Sequence, residues 1–462
     1  GEAVPTIIFQ QIAHKIKEKL ADTELTEQEV LDIIKKNDLT DSKKLLQYIK
    51  KHRKLGFVRL AKIAEYANGA RTETAAYYTR QDICYAVVKN LPDYPDNKIL
   101  HILEPATGVG NFLPSLFQKY ANVEELHIDV IDINPESIAI LKQILQSIPQ
   151  PENVRLNFIN KDTLLQNFNK HYDIVVGNPP YMKVSDKDLL KKYKSSVENT
   201  DTSNIFSFFI EKALQIGDVV SLIVPKSLIN APEFGGTRDL MNKLPITNII
   251  DFGEKGFKGV KIETIAFTIN QKVKRRLTKV ESYITNSIEI HDQDYITDPA
   301  YPYWLIYRNK DFDAAANKMR FGIFRAFRDR TLTKANTLQQ GKIRVLKSRN
   351  IGSNEIINID EYDTYIDDVS NLEVGKYMNR TDCVLVPNLT YYPRACFMPQ
   401  NCIADGSVAI LTTIPNETVT ADDLAYYATD EFCKFYGIAR NRGTRSLNID
   451  NNSVFFFGKL KV

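Results

Sequence analysis

The residues best suited to chemistry form a short polar segment that interrupts an apolar run. In DIVVGNPPYMKV, a β-branched stretch typical of a buried strand leads into Asn178, Pro179, Pro180 and Tyr181. Two consecutive prolines remove two backbone donors and fix two φ angles, so a central strand cannot continue through them. We therefore expect a rigid turn that presents an amide, a carbonyl and an aromatic ring at the end of a strand.

Such a turn is suited to binding a planar ring that carries an amino group. The side-chain oxygen of Asn178 and the carbonyl of Pro179 can accept two hydrogen bonds from the amine, and Tyr181 can stack on the ring. Two acceptors favour a pyramidal nitrogen and stabilise the charge that develops when it attacks an electrophile. A simple chain reversal is the commoner role of Pro-Pro alone, so the neighbouring strands must decide.

Two other apolar runs end in residues typical of a nucleotide site. The segment EPATGVGNFL contains Glu104 and the glycines Gly108 and Gly110, which allow a sharp turn close to a ligand. Asp132 ends the next run, before Ile133, and can accept hydrogen bonds from ribose hydroxyls. Either feature alone is weak evidence, since a tight turn or a solvated carboxylate explains it equally well.

A third run, RLNFI, is followed by Asp162 and Thr163. Asp162 can accept a hydrogen bond from an adenine amino group or can cap the next helix, and the sequence leaves both open. The carboxyl ends of parallel strands meet at one edge of an open sheet, where such sheets bind ligands. The four turns together therefore predict one nucleotide-type site.

The elements that must position these turns alternate between strands and helices over residues 71–285. Short apolar runs separated by stretches such as ESIAILKQILQSI predict an α/β fold with a mostly parallel sheet covered on both faces. Residues 1–70 are expected to form a helical segment, in which Thr26 and Glu29 have the spacing of a capping box. The alternation is lost later, and we expect an α+β domain over 286–462.

Bulk composition excludes several classes of protein. The chain of 462 residues has 60 basic and 57 acidic residues, a net charge of +3 that establishes no nucleic-acid partner by itself. No apolar run approaches the ~20 residues that cross a bilayer. The five cysteines form no CxxC pair, which fits a reducing cytosol. No His, Cys and carboxylate cluster has metal-ligand spacing, so we expect a cytoplasmic protein without metal or membrane partner.

The combined order of these motifs resembles the gamma-class DNA adenine amino-methyltransferases of restriction–modification systems, of the Asn-Pro-Pro-Tyr type. The resemblance covers about residues 70–275. It implies a Rossmann-like methyltransferase sheet of seven strands, one of them antiparallel, and S-adenosylmethionine as cofactor. It implies methyl transfer to adenine in double-stranded DNA with flipping of the base, because the amine cannot be reached inside a duplex. A cognate restriction endonuclease encoded separately is a further partner that the family implies.

The resemblance also implies roles for individual residues. Those implied in cofactor binding are Tyr78, Thr79, Glu104, Gly108, Gly110, Asp132, Ile133, Asp162, Thr163 and Asn178. Those implied in catalysis are Asn178, Pro179, Pro180, Tyr181 and Phe257. Phe257 sits where a family aromatic packs against the extruded base. Arg80 stands where the family usually has proline, directly after the segment that covers the methionine moiety.

Basic residues interleaved with aromatic ones predict the surface that contacts DNA. The candidates are Lys183, Lys274, Arg275, Arg276, Arg349, Tyr391, Arg394, Arg442 and Arg445. A single charge run is more often a solvated face, but a basic second domain beside a base-flipping site is what groove binding requires. We therefore expect residues 286–462 to form a target-recognition domain.

Two other functions remain open on the sequence. A methyltransferase that acts on a protein glutamine or an RNA base can share Asn-Pro-Pro-Tyr, although such chains are typically shorter. A catalytically silent DNA-binding modification subunit is the second alternative, against which the intact motifs argue. We expect methylation without DNA cleavage, because residues 1–70 look too short for a nuclease domain and contain no convincing metal-binding carboxylate–lysine cluster.

Overall fold

The computed structural model describes residues 25–71, 79–254, 262–444 and 448–461. The chain divides into two compact units: residues up to Leu228 together with Glu233–Gln293, and Ile229–Pro232 together with the residues from Asp294 onward. Within the described ranges, no helix combines the length and the apolar character needed to cross a membrane.

The first unit is built on one large sheet covered by helices, which confirms the predicted α/β class. Its strands are β1 (Ile99–Glu104), β2 (Glu125–Asp132), β3 (Val154–Asn160), β4 (Tyr172–Gly177), β5 (Gly217–Pro225), β6 (Ile246–Gly253), β7 (Thr264–Asn270), β8 (Leu277–Ser282) and β9 (Ser287–Asp292). Its helices are α1 (Glu27–Asn37), α2 (Ser42–Lys51), α3 (Gly56–Arg71), α4 (Gln81–Val88), α5 (Leu113–Lys119), α6 (Pro135–Ile144), α7 (Lys187–Lys194), α8 (Ile205–Ile216) and α9 (Gly235–Asn242).

The strand order of this sheet is β3-β2-β1-β4-β5-β7-β6-β8-β9, so the sheet has nine strands rather than the predicted seven. Strands β7 and β9 run antiparallel to their neighbours, and the remaining strands run parallel to one another. The prediction misses β8 and β9 because neither strand contains an apolar run, and β9 is in addition an exposed edge strand. The sheet therefore extends to Asp292, and the division between the units follows Gln293 rather than residue 285.

Helices α1–α3 pack on α6 and on the turn after β1 rather than standing apart. The predicted capping box is present, with the Thr26 amide donating to the Glu29 carboxylate and the Glu29 amide donating to Thr26 Oγ1. Val30 of α1 and Leu60 of α3 share one buried core with Val109, which lies in the glycine turn after β1. This packing brings α3 against the turn that the sequence predicts to bind a ligand.

The second unit mixes short strands with helices. Its strands are β10 (Met319–Arg320), β11 (Phe324–Phe327), β12 (Ile343–Leu346), β13 (Thr364–Ile366), β14 (Cys383–Pro387), β15 (Cys396–Phe397), β16 (Cys402–Ala404), β17 (Val408–Thr413) and β18 (Lys459–Leu460). They form sheets of order β11-β17-β14-β15, β13-β12-β16 and β10-β18. Its helices, starting at the division, are α10 (Gln293–Ile296), α11 (Lys310–Asn317), α12 (Ala421–Tyr426) and α13 (Asp430–Ala439).

A buried lysine joins three strands of the large sheet near their ends. Lys226 directly follows β5, Asp251 lies in β6 and Glu263 directly precedes β7. Lys226 Nζ lies 2.5 Å from Asp251 Oδ2 and 3.8 Å from Glu263 Oε1, and none of the three side chains is more than 3% exposed. Removing the cation would leave carboxylates in a medium of low polarity, which is strongly unfavourable.

We predict that Lys226→Met lowers the free energy of unfolding by about 3 kcal/mol, because it leaves buried carboxylates without their cation. The matched control is Lys272→Met, since Lys272 pairs with Asp218 at 3.0 Å but is 67% exposed. The control should cost less than about 1 kcal/mol. Urea unfolding followed by circular dichroism measures both, and equal losses would show that the buried pair contributes nothing beyond an exposed one.

Candidate active site

A cavity of about 520 Å³ opens at the carboxyl edge of the large sheet. Its lining includes Glu65, Thr79, Glu104, Gly108, Asn111, Asp132, Ile133, Asp162, Thr163, Asn178, Pro179 and Pro180. The ends of β1, β2, β3 and β4 thus meet at one cavity, as the sequence predicts. Gly110 and Tyr181 lie behind this lining, and the predicted residues Tyr78, Phe257 and Arg445 lie outside the described residues.

The turn after β1 requires glycine at two positions. Gly108 and Gly110 have φ of +54° and +77°, in the left-handed region that disfavours other residues. A Cβ on Gly110 would lie 2.6 Å from Leu141 Cδ1, so close packing against α6 also excludes a side chain there. A Cβ on Gly108 would lie 3.0 Å from Glu65 Oε1. The bare backbone of this turn therefore lies beside a carboxylate of α3 at the cavity.

Asp132 holds this turn against the end of β2. Its Oδ2 accepts a hydrogen bond of 2.9 Å from the amide of Gly108, and its Oδ1 accepts one of 2.8 Å from the amide of Asn134. Burial raises the pKa of Asp132, although these two amide donors act in the opposite direction. The carboxylate still lines the cavity, where its remaining lone pairs can accept from a ligand.

Two further carboxyls are buried beside Asp132. Burial raises the pKa of Glu104 to about 8 against a hydrogen bond from Thr107 Oγ1, and the charges of Asp132 and Glu65 add to the rise. Burial, reinforced by the charge of Asp132, raises the pKa of Glu65 to about 8 as well. Glu65 lies in α3 outside every motif, and the sequence pattern does not predict it as a site residue. The sequence signal that could have identified it is an acid that follows two apolar residues, Ile63 and Ala64. Both of these residues are fully buried in the structure.

The amide of Asn178 is held from both sides at the end of β4. Its Nδ2 donates a hydrogen bond of 3.0 Å to the hydroxyl of Thr79, a residue only 3% exposed. Its Oδ1 accepts a hydrogen bond of 2.5 Å from the hydroxyl of Tyr181. These contacts fix which end of the amide faces which side of the turn.

The ring of Tyr181 packs against the core, and its role as a stacking surface stays a prediction. Its ring lies edge-on to Phe206 of α8, with 6.2 Å between ring centroids, and packs against the core of the sheet. Its hydroxyl also lies 3.2 Å from the carbonyl of Ile223 in β5. The ring thus fills the space between β5 and α8, and the cavity is lined by Pro179 and Pro180 instead.

After β3, Asp162 caps a turn rather than the helix that the sequence left open, because no helix lies among the described residues between β3 and β4. Asp162 Oδ1 accepts from the amide of Leu164 at 2.9 Å, and Oδ2 accepts from the hydroxyl of Tyr193 at 2.7 Å. Thr163 Oγ1 donates to the carbonyl of Pro105 at 2.5 Å and ties this turn to the one after β1. Asp162 also lines the cavity, so contact with a ligand is compatible with its cap.

The basic residues predicted to bind DNA in the first unit lie at different edges of the sheet. Lys183 follows the Pro-Pro turn and is 67% exposed. In contrast, Lys274, Arg275 and Arg276 follow β7, whose last residues pair with the start of β5. Because β7 is antiparallel, they lie at the edge opposite the cavity, and Arg275 donates to Asn242. These three residues therefore do not line the cavity, and their contact with DNA stays a prediction.

Three predicted DNA-binding segments converge within the second unit. Arg394 donates from its side chain to the carbonyls of Ser348, Ile351 and Tyr392, so it braces a loop rather than presenting a free guanidinium. The hydroxyl of Tyr391 donates to the carbonyl of Thr444 at 3.2 Å. The predicted DNA-binding side chains that these segments expose are those of Arg349, Tyr391 and Arg442, and Tyr392 beside them is exposed as well.

Residues 22–257, about half of the chain, match the sequence model of the Eco57I restriction-modification methylases. The chain belongs to this family. The predicted resemblance to restriction–modification methyltransferases is thereby confirmed.

Two relatives and one solved structure illustrate the similarity. The Type II methyltransferase M.HincII of Haemophilus influenzae is 29% identical over 188 residues, which are 37% of this chain and 32% of that protein. A protein named as an N5-glutamine methyltransferase, from Methanocaldococcus jannaschii, is 26% identical over 163 residues, which are 34% of this chain and 73% of that protein. The DNA complex of the Type IIL restriction-modification enzyme MmeI has a TM-score of 0.50 at 11% identity, covering 93% of this chain and 67% of that chain.

The chain spans about a third of the length of the Type II methyltransferases that it matches. At 11% identity, the likeness to MmeI concerns the fold alone.

We predict that Glu104→Gln stabilises the protein without ligand increasingly as pH rises from about 5 to about 8. The pKa of this carboxyl is about 8 in the folded chain against 4.5 ordinarily, so unfolding releases a proton across this interval. Stability of the wild type therefore falls with rising pH, whereas the amide introduced by the substitution carries no titrating proton. The difference between variant and wild type should grow by about 3 kcal/mol, measured by urea unfolding. A difference independent of pH would contradict the raised pKa.

Proposed function

We propose that this protein is a site-specific DNA methyltransferase that transfers a methyl group from S-adenosylmethionine to the exocyclic amino group of adenine. The observation that carries the proposal is the amide of Asn178, held at the end of β4 by Thr79 and Tyr181 on the wall of the cavity. Membership in the restriction-modification methylase family supports the same reaction.

The cavity has the chemistry that the cofactor needs. Asp132 retains acceptor capacity for ribose hydroxyls, and Ile133 is 66% exposed and offers an apolar surface to an adenine ring. Asn111 is 5% exposed and lines the same cavity, and its Oδ1 has no partner among the described residues. When bound, S-adenosylmethionine supplies a methyl group activated by attachment to a sulfonium.

Asn178 and Pro179 would position the nucleophile. An amide oxygen has two lone pairs, and Tyr181 uses one, so Oδ1 can accept one hydrogen bond from the adenine amine. The carbonyl of Pro179 can accept the second, and proline presents no competing N–H there. Both acceptors become stronger as positive charge develops on the amine, which selectively stabilises the transition state.

Double-stranded DNA is the proposed substrate, and the target adenine must be flipped out of the helix to reach this turn. We assign target recognition to the second unit, from Asp294 onward, where Arg349, Tyr391 and Arg442 are exposed on converging segments. Tyr391 is 58% exposed and Tyr392 75%, which suits stacking or groove contacts. A cognate endonuclease encoded separately would complete a restriction–modification pair in the cytoplasm.

A glutamine side chain is the second candidate substrate, because the relative from Methanocaldococcus jannaschii matches over most of its own length. Its amide nitrogen is a poor nucleophile, as the adenine amine is, because its lone pair is delocalised. The assay below therefore includes a glutamine-containing peptide alongside DNA.

We predict that Asn178→Ala lowers the rate of methyl transfer to DNA by about hundredfold or more, because an acceptor used in the transition state is lost. Binding of S-adenosylhomocysteine should largely survive. The measurements are transfer of tritium from labelled S-adenosylmethionine into DNA, mass spectrometry of its nucleosides, and calorimetry. The wild type should produce N6-methyladenine.

The matched control is Asn157→Ala, which removes a hydrogen bond to Asp129 outside the cavity and should leave transfer unchanged. Loss of cofactor binding by Asn178→Ala with the fold intact would reassign this residue to the cofactor. Transfer to the peptide but not to DNA would overturn the proposed substrate.

We also predict that Tyr181→Phe lowers kcat about tenfold and leaves S-adenosylhomocysteine affinity unchanged, since one orienting hydrogen bond is lost. A phenylalanine ring stacks as well as a tyrosine ring, so unchanged kcat would favour the stacking role expected from the sequence. Tyr172→Phe is the matched control, because its hydroxyl bonds Asp129 away from the cavity.

A further inference from the structure

Glu65 is a buried acid at the cavity that no sequence motif includes. It is 8% exposed, lies in α3, and directs its carboxylate into the lining. Its Oε1 is so close to the turn that a Cβ on Gly108 would lie 3.0 Å away. Glu65 therefore meets the cavity at the backbone of the predicted cofactor turn.

The three buried carboxyls differ in how far the protein satisfies them. Asp132 accepts from two backbone amides, and Glu104 accepts from the hydroxyl of Thr107. Among the described residues, Glu65 has a hydrogen bond only from the amide of Val109, and its side chain belongs to the cavity lining. An ionised carboxylate has about four lone-pair sites, so a single amide leaves most of its capacity unused.

A second unsatisfied acceptor lines the same cavity. Asn111 Oδ1 has no hydrogen-bond partner in the part of the chain that the structure describes, although the residue is only 5% exposed. Buried acceptors normally have partners, and an unpaired one in a cavity indicates a donor on the ligand. Glu65, with its single amide partner, favours a donor that carries positive charge, and Asn111 belongs to the same lining.

A primary ammonium is the group that fits these acceptors. It donates three hydrogen bonds and accepts none. The described residues contain no group of three or more His, Cys, Asp or Glu side chains arranged to hold a metal ion. The sulfonium of the cofactor has no N–H to donate, and its ribose hydroxyls are expected to donate to Asp132. Neither group is therefore the expected partner of Glu65.

We propose that Glu65 binds the ammonium of the amino-acid moiety of S-adenosylmethionine, with Asn111 Oδ1 as a second acceptor. The assignment rests on the proposed function, since it presupposes that this cofactor occupies the cavity. Helix α3 thereby becomes part of the cofactor site, and an ionised Glu65 gains a cation that offsets its burial.

The test compares two ligands that differ in this ammonium. S-adenosylhomocysteine contains the amino-acid moiety, whereas 5′-methylthioadenosine lacks it. Glu65→Gln keeps the length of the side chain and an acceptor for the Val109 amide but removes the charge. It should weaken S-adenosylhomocysteine by about tenfold or more and 5′-methylthioadenosine by less than about twofold, measured by calorimetry.

Glu125→Gln is the matched control, because Glu125 pairs with His127 outside the cavity and should affect neither ligand. Asn111→Leu should show the same ligand-selective loss as Glu65→Gln. Equal weakening of both ligands by Glu65→Gln would assign Glu65 to holding the turn, and no weakening would remove it from the site; either result overturns the inference. If the wild type binds neither ligand, the proposed function itself fails, a result distinct from both.

Discussion

The hydrogen bonds of Asn178 are the constraint on which the rest of the site depends. Because Nδ2 donates to Thr79, the oxygen of the same amide must face the other way, where Tyr181 occupies one of its lone pairs. One acceptor position is left for a substrate amine, next to a proline carbonyl in a turn that the two prolines stiffen. Thr79 precedes α4, Tyr181 packs between β5 and α8, and Asn178 follows β4, so the orientation of one amide depends on elements distant in sequence.

The cofactor side of the cavity contains buried acids that have few hydrogen-bond donors around them. Asp132 uses two backbone amides to close the glycine turn, whereas Glu65 and Glu104 remain weakly satisfied and have pKa values raised to about 8 by burial. Buried carboxyls with few hydrogen-bond donors lower the free energy of unfolding when they are ionised, and they favour a cationic ligand. We infer that these buried acids lower the stability of the protein without ligand and raise its affinity for a cationic ligand. Helix α3 takes part in the site through Glu65.

The strand ends could be predicted from sequence because each couples an apolar run to residues that cannot continue a strand. Glu104, Gly108, Asp132, Asp162 and Asn178 all follow such runs, and topology brings them to one cavity. The positions of other residues depend on information that a local pattern lacks. Lys274, Arg275 and Arg276 lie at the far edge because β7 runs antiparallel, and the ring of Tyr181 turns inward because space exists beside Phe206. Glu65 was missed because only tertiary packing carries α3 to the glycine turn.

The central claim, that Asn178 accepts a hydrogen bond from the amine to be methylated, is tested most directly by a crystal structure. The complex would contain this protein, a non-reactive cofactor analogue and duplex DNA with its recognition site. The account predicts a flipped adenine whose amino nitrogen lies within about 3.2 Å of both Asn178 Oδ1 and the Pro179 carbonyl. A flipped base bound elsewhere, or an Asn178 amide facing away from the bound cofactor analogue, would contradict it.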